Sequence, residues 1–185
     1  MKRIGWGILG AARVNERLMP AIAQSDLGDL IAIGSRRSGA AKECLLKNLP
    51  EFEDKVSCFD GFDQVINHEN IDAIYIPLAN EEHTAFALKA IRAKKHILIE
   101  KPMAIKSQEV KLLIEEASKN NIKIMEGFMY AFHPQFDRII NILKSNILGD
   151  INYAHSMFSF PIKSERFYRI NRSMKNGGGA LWDIG

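Results

Sequence analysis

The chain has 185 residues, 46% apolar and 25% charged, with 25 Lys and Arg against 22 Asp and Glu and a formal net charge of +3. That composition excludes a disordered or collagen-like chain, and so small a positive surplus gives no electrostatic footprint for DNA or RNA. No apolar run reaches the roughly 18 residues that a membrane-spanning helix needs, and the length suits one full domain plus part of another.

The first apolar run, 4–9, ends in glycine and is read as a strand, with helical spacing following over 14–23. Lys2 and Arg3 ahead of it imitate the start of a secretory leader. Arg13, Asn15, Glu16 and Arg17 interrupt the run without a small-x-small cleavage site, so a strand and a turn are expected instead. A second strand at 30–34 precedes a helix at 40–49. A third, weaker strand at 56–59 leads to a short helix at 62–66. Strands at 73–76, 96–99 and 122–125 alternate with helices at 82–92 and 107–119, and Ser107 is the expected N-cap of the latter. Strands that are apolar throughout, rather than alternating, are covered on both faces. Separated by helices of about ten residues, they predict βαβ units and a doubly wound parallel α/β sheet over residues 1–125.

Beyond residue 125 the rhythm changes. Pro134 suits a first helical position, and Phe136, Ile139, Ile140 and Leu143 follow the spacing of one buried face, with Gly149 expected to end that helix. Residues 151–160 read as a longer strand of a different sheet. Gly177, Gly178 and Gly179 lead into a last segment, 180–185, that begins an element without finishing it. Residues 126–185 are therefore expected to open a second domain whose remainder is absent, with apolar surface exposed as a consequence. Cys44 and Cys58 are too few and too far apart for a disulfide framework or zinc knuckle, so no metal is expected and a reducing, cytoplasmic location is.

Three constellations carry chemistry. Gly7-Ile8-Leu9-Gly10-Ala11-Ala12-Arg13-Val14-Asn15 spans the first strand-to-helix junction, where small residues let backbone amides approach a pyrophosphate. Counted from Gly10, the full fingerprint wants glycine at 12 and glycine or alanine at 15. Ala12 and Asn15 degrade it, and a tight turn without ligand stays open. Ser35-Arg36-Arg37 follows the second strand, where an acidic residue would select an unphosphorylated ribose. Two arginines suit a 2′-phosphate instead, so NADP(H) is favoured over NAD(H); a solvated basic turn is the alternative. Glu100-Lys101-Pro102 and Pro77-Leu78-Ala79-Asn80-Glu81-Glu82-His83 end the fifth and fourth strands, at the sheet edge where open parallel sheets bind ligands. Lys101 is placed for proton transfer, or else pairs with Glu100. His83 reads as a helix-start residue on spacing alone.

Together these residues resemble the Gfo/Idh/MocA family of NAD(P)-dependent oxidoreductases. The resemblance includes residues 71–77, Asn80 with His83, 95–104 around Glu100-Lys101-Pro102, 126–130, His133-Pro134-Gln135 and Gly177 through Asp183. It implies a Rossmann domain followed by an α+β substrate and dimerisation domain, with a homo-oligomer in the full-length form. It implies hydride transfer between nicotinamide and a carbinol or carbonyl carbon of a sugar, polyol or diol. The dinucleotide is expected on Gly10, Ala11, Ala12, Arg13, Val14, Ser35, Arg36, Arg37, Pro77, Leu78, Asn80, His83, Glu100, Lys101 and Pro102. Lys101 matches the family lysine that holds and protonates the reacting oxygen, Asp183 an aspartate that orients substrate, and Arg169 a substrate-side arginine. The family's acid/base tyrosine or histidine falls four residues after that aspartate, beyond this sequence. A non-catalytic dinucleotide-binding or partner-docking module is the competing expectation.

Overall fold

Six strands form one sheet: β1 (Ile4–Leu9), β2 (Gly28–Gly34), β3 (Ser57–Phe59), β4 (Ala73–Ile76), β5 (His96–Ile99) and β6 (Ile124–Glu126). The order across the sheet is β3-β2-β1-β4-β5-β6, and every neighbouring pair is parallel. The computed structural model describes residues 2–164, 167, 171–179 and 182. The helices are α1 (Asn15–Ala23), α2 (Ala40–Asn48), α3 (Asp63–Ile66), α4 (His83–Arg92), α5 (Ser107–Lys119) and α6 (Pro134–Lys144). The chain divides into two units, Met1–Glu126 and Gly127–Gly185.

Adjacent strand residues send their side chains into two separate cores. Leu9, Ala32, Ile74 and Ile76 pack with Val65, Ala87, Ile91, Leu113 and Ala117 from α3, α4 and α5. Their neighbours Ile8, Ile33 and Tyr75 pack with Met19, Ile22, Cys44 and Leu45 from α1 and α2. A strand covered on both faces must be apolar at every position, which is why these runs do not alternate. Each fully buried Ile or Leu contributes about 1.5–3 kcal/mol through removal from water. The doubly wound parallel α/β sheet expected from the pattern is therefore the fold of the first unit.

The edge where strands begin is stitched together by polar groups. Asp72 accepts the Gly5 N–H at 2.9 Å and Lys2 Nζ at 2.8 Å. Those contacts, with Lys2 first, hold its carboxyl below the usual carboxylate range. Buried Lys95 donates from Nζ to the carbonyls of His68 and Ile71 at 2.8 and 2.7 Å. Both bonds close the connection between α3 and β4.

Several local expectations differ from the structure. The N-cap of α5 is Lys106, not Ser107, and the Glu109 carboxylate accepts the Lys106 N–H at 3.0 Å. Helix α6 ends at Lys144 rather than near Gly149, because Asn146 takes a left-handed conformation at φ 58 that helical backbone does not tolerate. No strand forms over 151–160. These residues are exposed and make no ladder pairing among the described residues, and a strand exists only where a partner strand supplies its hydrogen bonds. Of the expected buried stripe of α6, Phe136, Ile139 and Leu143 are 37%, 45% and 47% exposed, and Ile140 is half-buried.

Candidate functional site

At the carboxyl end of β1 the backbone turns through Gly10, whose φ of +117 favours glycine. Its N–H donates to the Gly34 carbonyl at 2.8 Å, and a Cβ there would lie 3.0 Å from Leu78 Cδ2. Gly7 is small for a different reason. A Cβ on it would come within 2.6 Å of Val65 Cγ1 and 2.7 Å of Ile71 Cδ1. After Gly10, the carbonyls of Ala12, Arg13 and Val14 accept from the N–H groups of Asn15, Glu16 and Arg17. The N–H groups of Ala11, Ala12, Arg13 and Val14 donate no hydrogen bond among the described residues. Four consecutive amides at the head of a helix form an anion receptor, where unspent donors and the helix dipole act in the same direction.

Asn15, the departure from the fingerprint, does not disable this turn. It is fully buried, and its Nδ2 donates to the Gly10 carbonyl at 2.8 Å while lying 3.4 Å from Cys44 Sγ. The side chain braces the turn from inside, where glycine would leave space. Its Oδ1 has no partner among the described residues. A run of unspent amides with a buried brace beside it fits a dinucleotide pyrophosphate.

Ser35, Arg36 and Arg37 follow β2 at the same edge. Ser35 is buried, and its Oγ accepts the Arg37 N–H at 3.3 Å. The Arg36 guanidinium stands over the Phe62 ring, 5.4 Å from its centroid, and donates from Nη2 to Glu82 Oε2 at 3.0 Å. Its second amine pairs with the other oxygen of the same carboxylate. Arg37 meets Glu43 at 3.2 Å with both side chains well exposed, a weak surface pair.

Lys101 lies in the turn after β5, held from three directions. Buried Tyr75 donates its hydroxyl to Glu100 Oε1 at 2.6 Å. Burial, and then this carboxylate, push the phenol far above its ordinary range, so the hydroxyl keeps the proton it donates. The Pro102 carbonyl contacts His83 Nδ1 at 2.7 Å, and the Met103 N–H donates to Glu126 Oε1 at 2.6 Å. The Lys101-Pro102 peptide is cis.

His83 begins α4, as its spacing suggests. It is fully buried, and its Nε2 contacts the Leu78 carbonyl at 3.1 Å, so both ring nitrogens are spent on backbone. A neutral ring donates to one of those carbonyls and an imidazolium to both. His83 therefore straps the β4 turn to the β5 turn. Pro77 is buried beside it, while Leu78 and Asn80 are half-buried on the β4 turn.

Because β1, β2, β4 and β5 are parallel, Gly10 to Val14, Ser35 to Arg37, Pro77 to Asn80 and Glu100 to Pro102 all lie at one sheet edge. β1 sits between β2 and β4, the point where the strand order reverses and where such sheets bind ligands. Arg169 and Asp183 lie outside the described residues. The sequence motifs contain Tyr75, Glu82 and Glu126, but sequence reading gave none of the three a role. Tyr75 was discoverable, since a phenol inside a strand buried on both faces needs a partner for its hydroxyl. Glu82 and Glu126 carry no such local signal.

Residues 4–128 match an oxidoreductase family with an NAD-binding Rossmann fold. The chain is 30% identical over 182 residues to the dTDP-3,4-didehydro-2,6-dideoxy-alpha-D-glucose 3-reductase of Actinomadura kijaniata, covering 97% of this chain and 52% of that protein. It is 29% identical over 185 residues to the trans-1,2-dihydrobenzene-1,2-diol dehydrogenase of Xenopus laevis, covering 97% of this chain and 53% of that one. A crystal structure of a 3-ketoreductase from Actinomadura kijaniata with NADP and TDP-benzene superposes with a TM-score of 0.87 at 29% identity. That match covers 99% of this chain and 54% of that one. The chain thus spans about half the length of the curated relatives it matches. With the sheet order, the amide cradle and the lysine turn all in place, and the family pattern running through most of the sequence, this chain belongs to the Gfo/Idh/MocA family of oxidoreductases.

Proposed function

We propose that this chain is the coenzyme-binding part of an NADP(H)-dependent oxidoreductase that moves a hydride between nicotinamide and a carbinol or carbonyl carbon of a sugar, polyol or diol. The observation that carries the reading is the gathering of the unspent amides of residues 11–14, the two arginines and the Lys101 turn along one sheet edge. The amides of Ala11 to Val14 receive the pyrophosphate, with Asn15 holding the turn rigid behind them. Ser35, Arg36 and Arg37 receive the 2′-phosphate, for which a guanidinium offers a planar pair of donors. When bound, the nicotinamide supplies or accepts the hydride. Lys101 holds the substrate oxygen and delivers or takes its proton, and the bonds at Glu100, Pro102 and Met103 limit how far its backbone can wander. The match to a 3-ketoreductase solved with NADP supports the choice of coenzyme, and the two curated relatives support the substrate class.

Titration with NADPH and NADH, followed by nicotinamide fluorescence, tests the reading. Saturable binding is expected, tighter for NADPH; no saturable binding of either overturns it. Across a panel of sugars, polyols and diols, Lys101→Ala is expected to lower turnover about 10²-fold or more while leaving the NADPH dissociation constant within about twofold.

A further inference from the structure

Arg36 is claimed by two groups. In the coenzyme reading above, on which this inference rests, its guanidinium takes a phosphate; in the structure it is held by both oxygens of Glu82. The two residues come from different crossovers, Arg36 after β2 and Glu82 after β4, and β1 lies between those strands. Their ion pair therefore joins the segments that follow the two strands flanking β1. Glu82 is mostly covered, its side chain 20% exposed, whereas that of Arg36 is 62% exposed. The carboxylate is thus the fixed partner and the guanidinium the reachable one.

We propose that Glu82 is a specificity-determining residue that sets how strongly the site prefers a 2′-phosphorylated adenosine to an unphosphorylated one. A phosphate needs the same fork of N–H donors that Glu82 occupies. It either displaces the carboxylate, and loses a formed ion pair, or shares the guanidinium and suffers like-charge repulsion at short range. An adenosine without the 2′-phosphate meets neither cost. Glu82 thus tempers the preference that two consecutive arginines would otherwise impose. The Phe62 ring makes the effect separable, because its cation–π contact keeps the guanidinium in place when the carboxylate is neutralised. Phe62 is itself buried and packed edge-on against Phe86 at 5.0 Å, so that platform does not depend on Glu82.

The test uses adenosine 2′,5′-bisphosphate and adenosine 5′-monophosphate as probes, titrated calorimetrically against the whole chain. Glu82→Gln is expected to tighten the bisphosphate roughly three- to tenfold and to move the monophosphate by less than about twofold. In an Arg36→Gln background the same change is expected to have no effect on either probe. Equal shifts for both probes, a weakened bisphosphate, or tightening that survives in the Arg36→Gln background each overturn the proposal. Far-ultraviolet circular dichroism checks the fold of each variant; Glu82→Ser replaces Glu82→Gln, and Arg36→Lys replaces Arg36→Gln, where the first choice fails to fold. Wild type binding neither probe, nor NADPH, instead overturns the coenzyme reading and this inference with it.

Discussion

Ile74 and Ile139 are the same residue in equally well-patterned segments, yet Ile74 is fully buried in β4 while Ile139 on α6 is 45% exposed. Helices α5 and α6 make the same point. Each has an apolar stripe and an acidic residue in its first turn, but α5 buries Leu113 and Ala117 and α6 buries nothing. Periodicity makes a helix and says which side it offers. Whether that side becomes core depends on an opposing surface, which α5 finds in α4 and the sheet. Apolar spacing is thus a reliable indicator of element type and a weak one of burial.

The comparison can be broken most directly in the core. Leu113→Ala is expected to cost about 2–5 kcal/mol in urea unfolding, through lost transfer energy and a cavity, whereas Ile139→Ala is expected to stay within about 0.5 kcal/mol. Equal losses at the two positions would show that Ile139 is packed as tightly as Leu113 in solution. A smaller effect is expected at Gly10, in the turn after β1. Gly10→Ala strains a backbone at φ +117 and presses a methyl group against Leu78, so a loss of about 1–3 kcal/mol is expected, together with weaker NADPH binding. The least effect belongs to the opposite edge of the sheet. The Asp72 carboxyl is lowered on folding by Lys2 and the Gly5 N–H, so its contribution is complete above the ordinary value of 3.8. It fades as pH falls below that value through the lowered one. Asp72→Asn is expected to cost less than about 1 kcal/mol near pH 7, since Lys2 is well exposed, and to flatten the acid limb of the stability profile below pH 3.8.

Much of the first unit was legible because its signals are local. The runs at 73–76 and 96–99 and the helix at 107–119 have the bounds read from the sequence, each set by the pattern of its own residues. The glycine turn after β1 was legible as a location but not in how it is held. Asn15 looked like damage to a glycine fingerprint, and only packing shows that its amide replaces missing bulk and ties down the Gly10 carbonyl. His83 was legible as part of a motif, yet its role as a strap between two turns depends on carbonyls five and nineteen positions away. The expected strand at 151–160 failed for the reason that α6 stays exposed: its pattern specifies a need for partners and cannot supply them.

Within the first unit, the sequence by itself determined which stretches are strands, which are helices, and which small and basic groups follow the first, second and fifth strands. Those properties depend on neighbours a few positions apart, where backbone sterics and side-chain spacing act directly. Only the tertiary structure decided that Glu82 holds Arg36, that Tyr75 and Glu126 secure the turn of Lys101, and which apolar faces are buried. Such contacts join residues tens of positions apart, and their energies exist only once the sheet has set its strand order and brought those ends together.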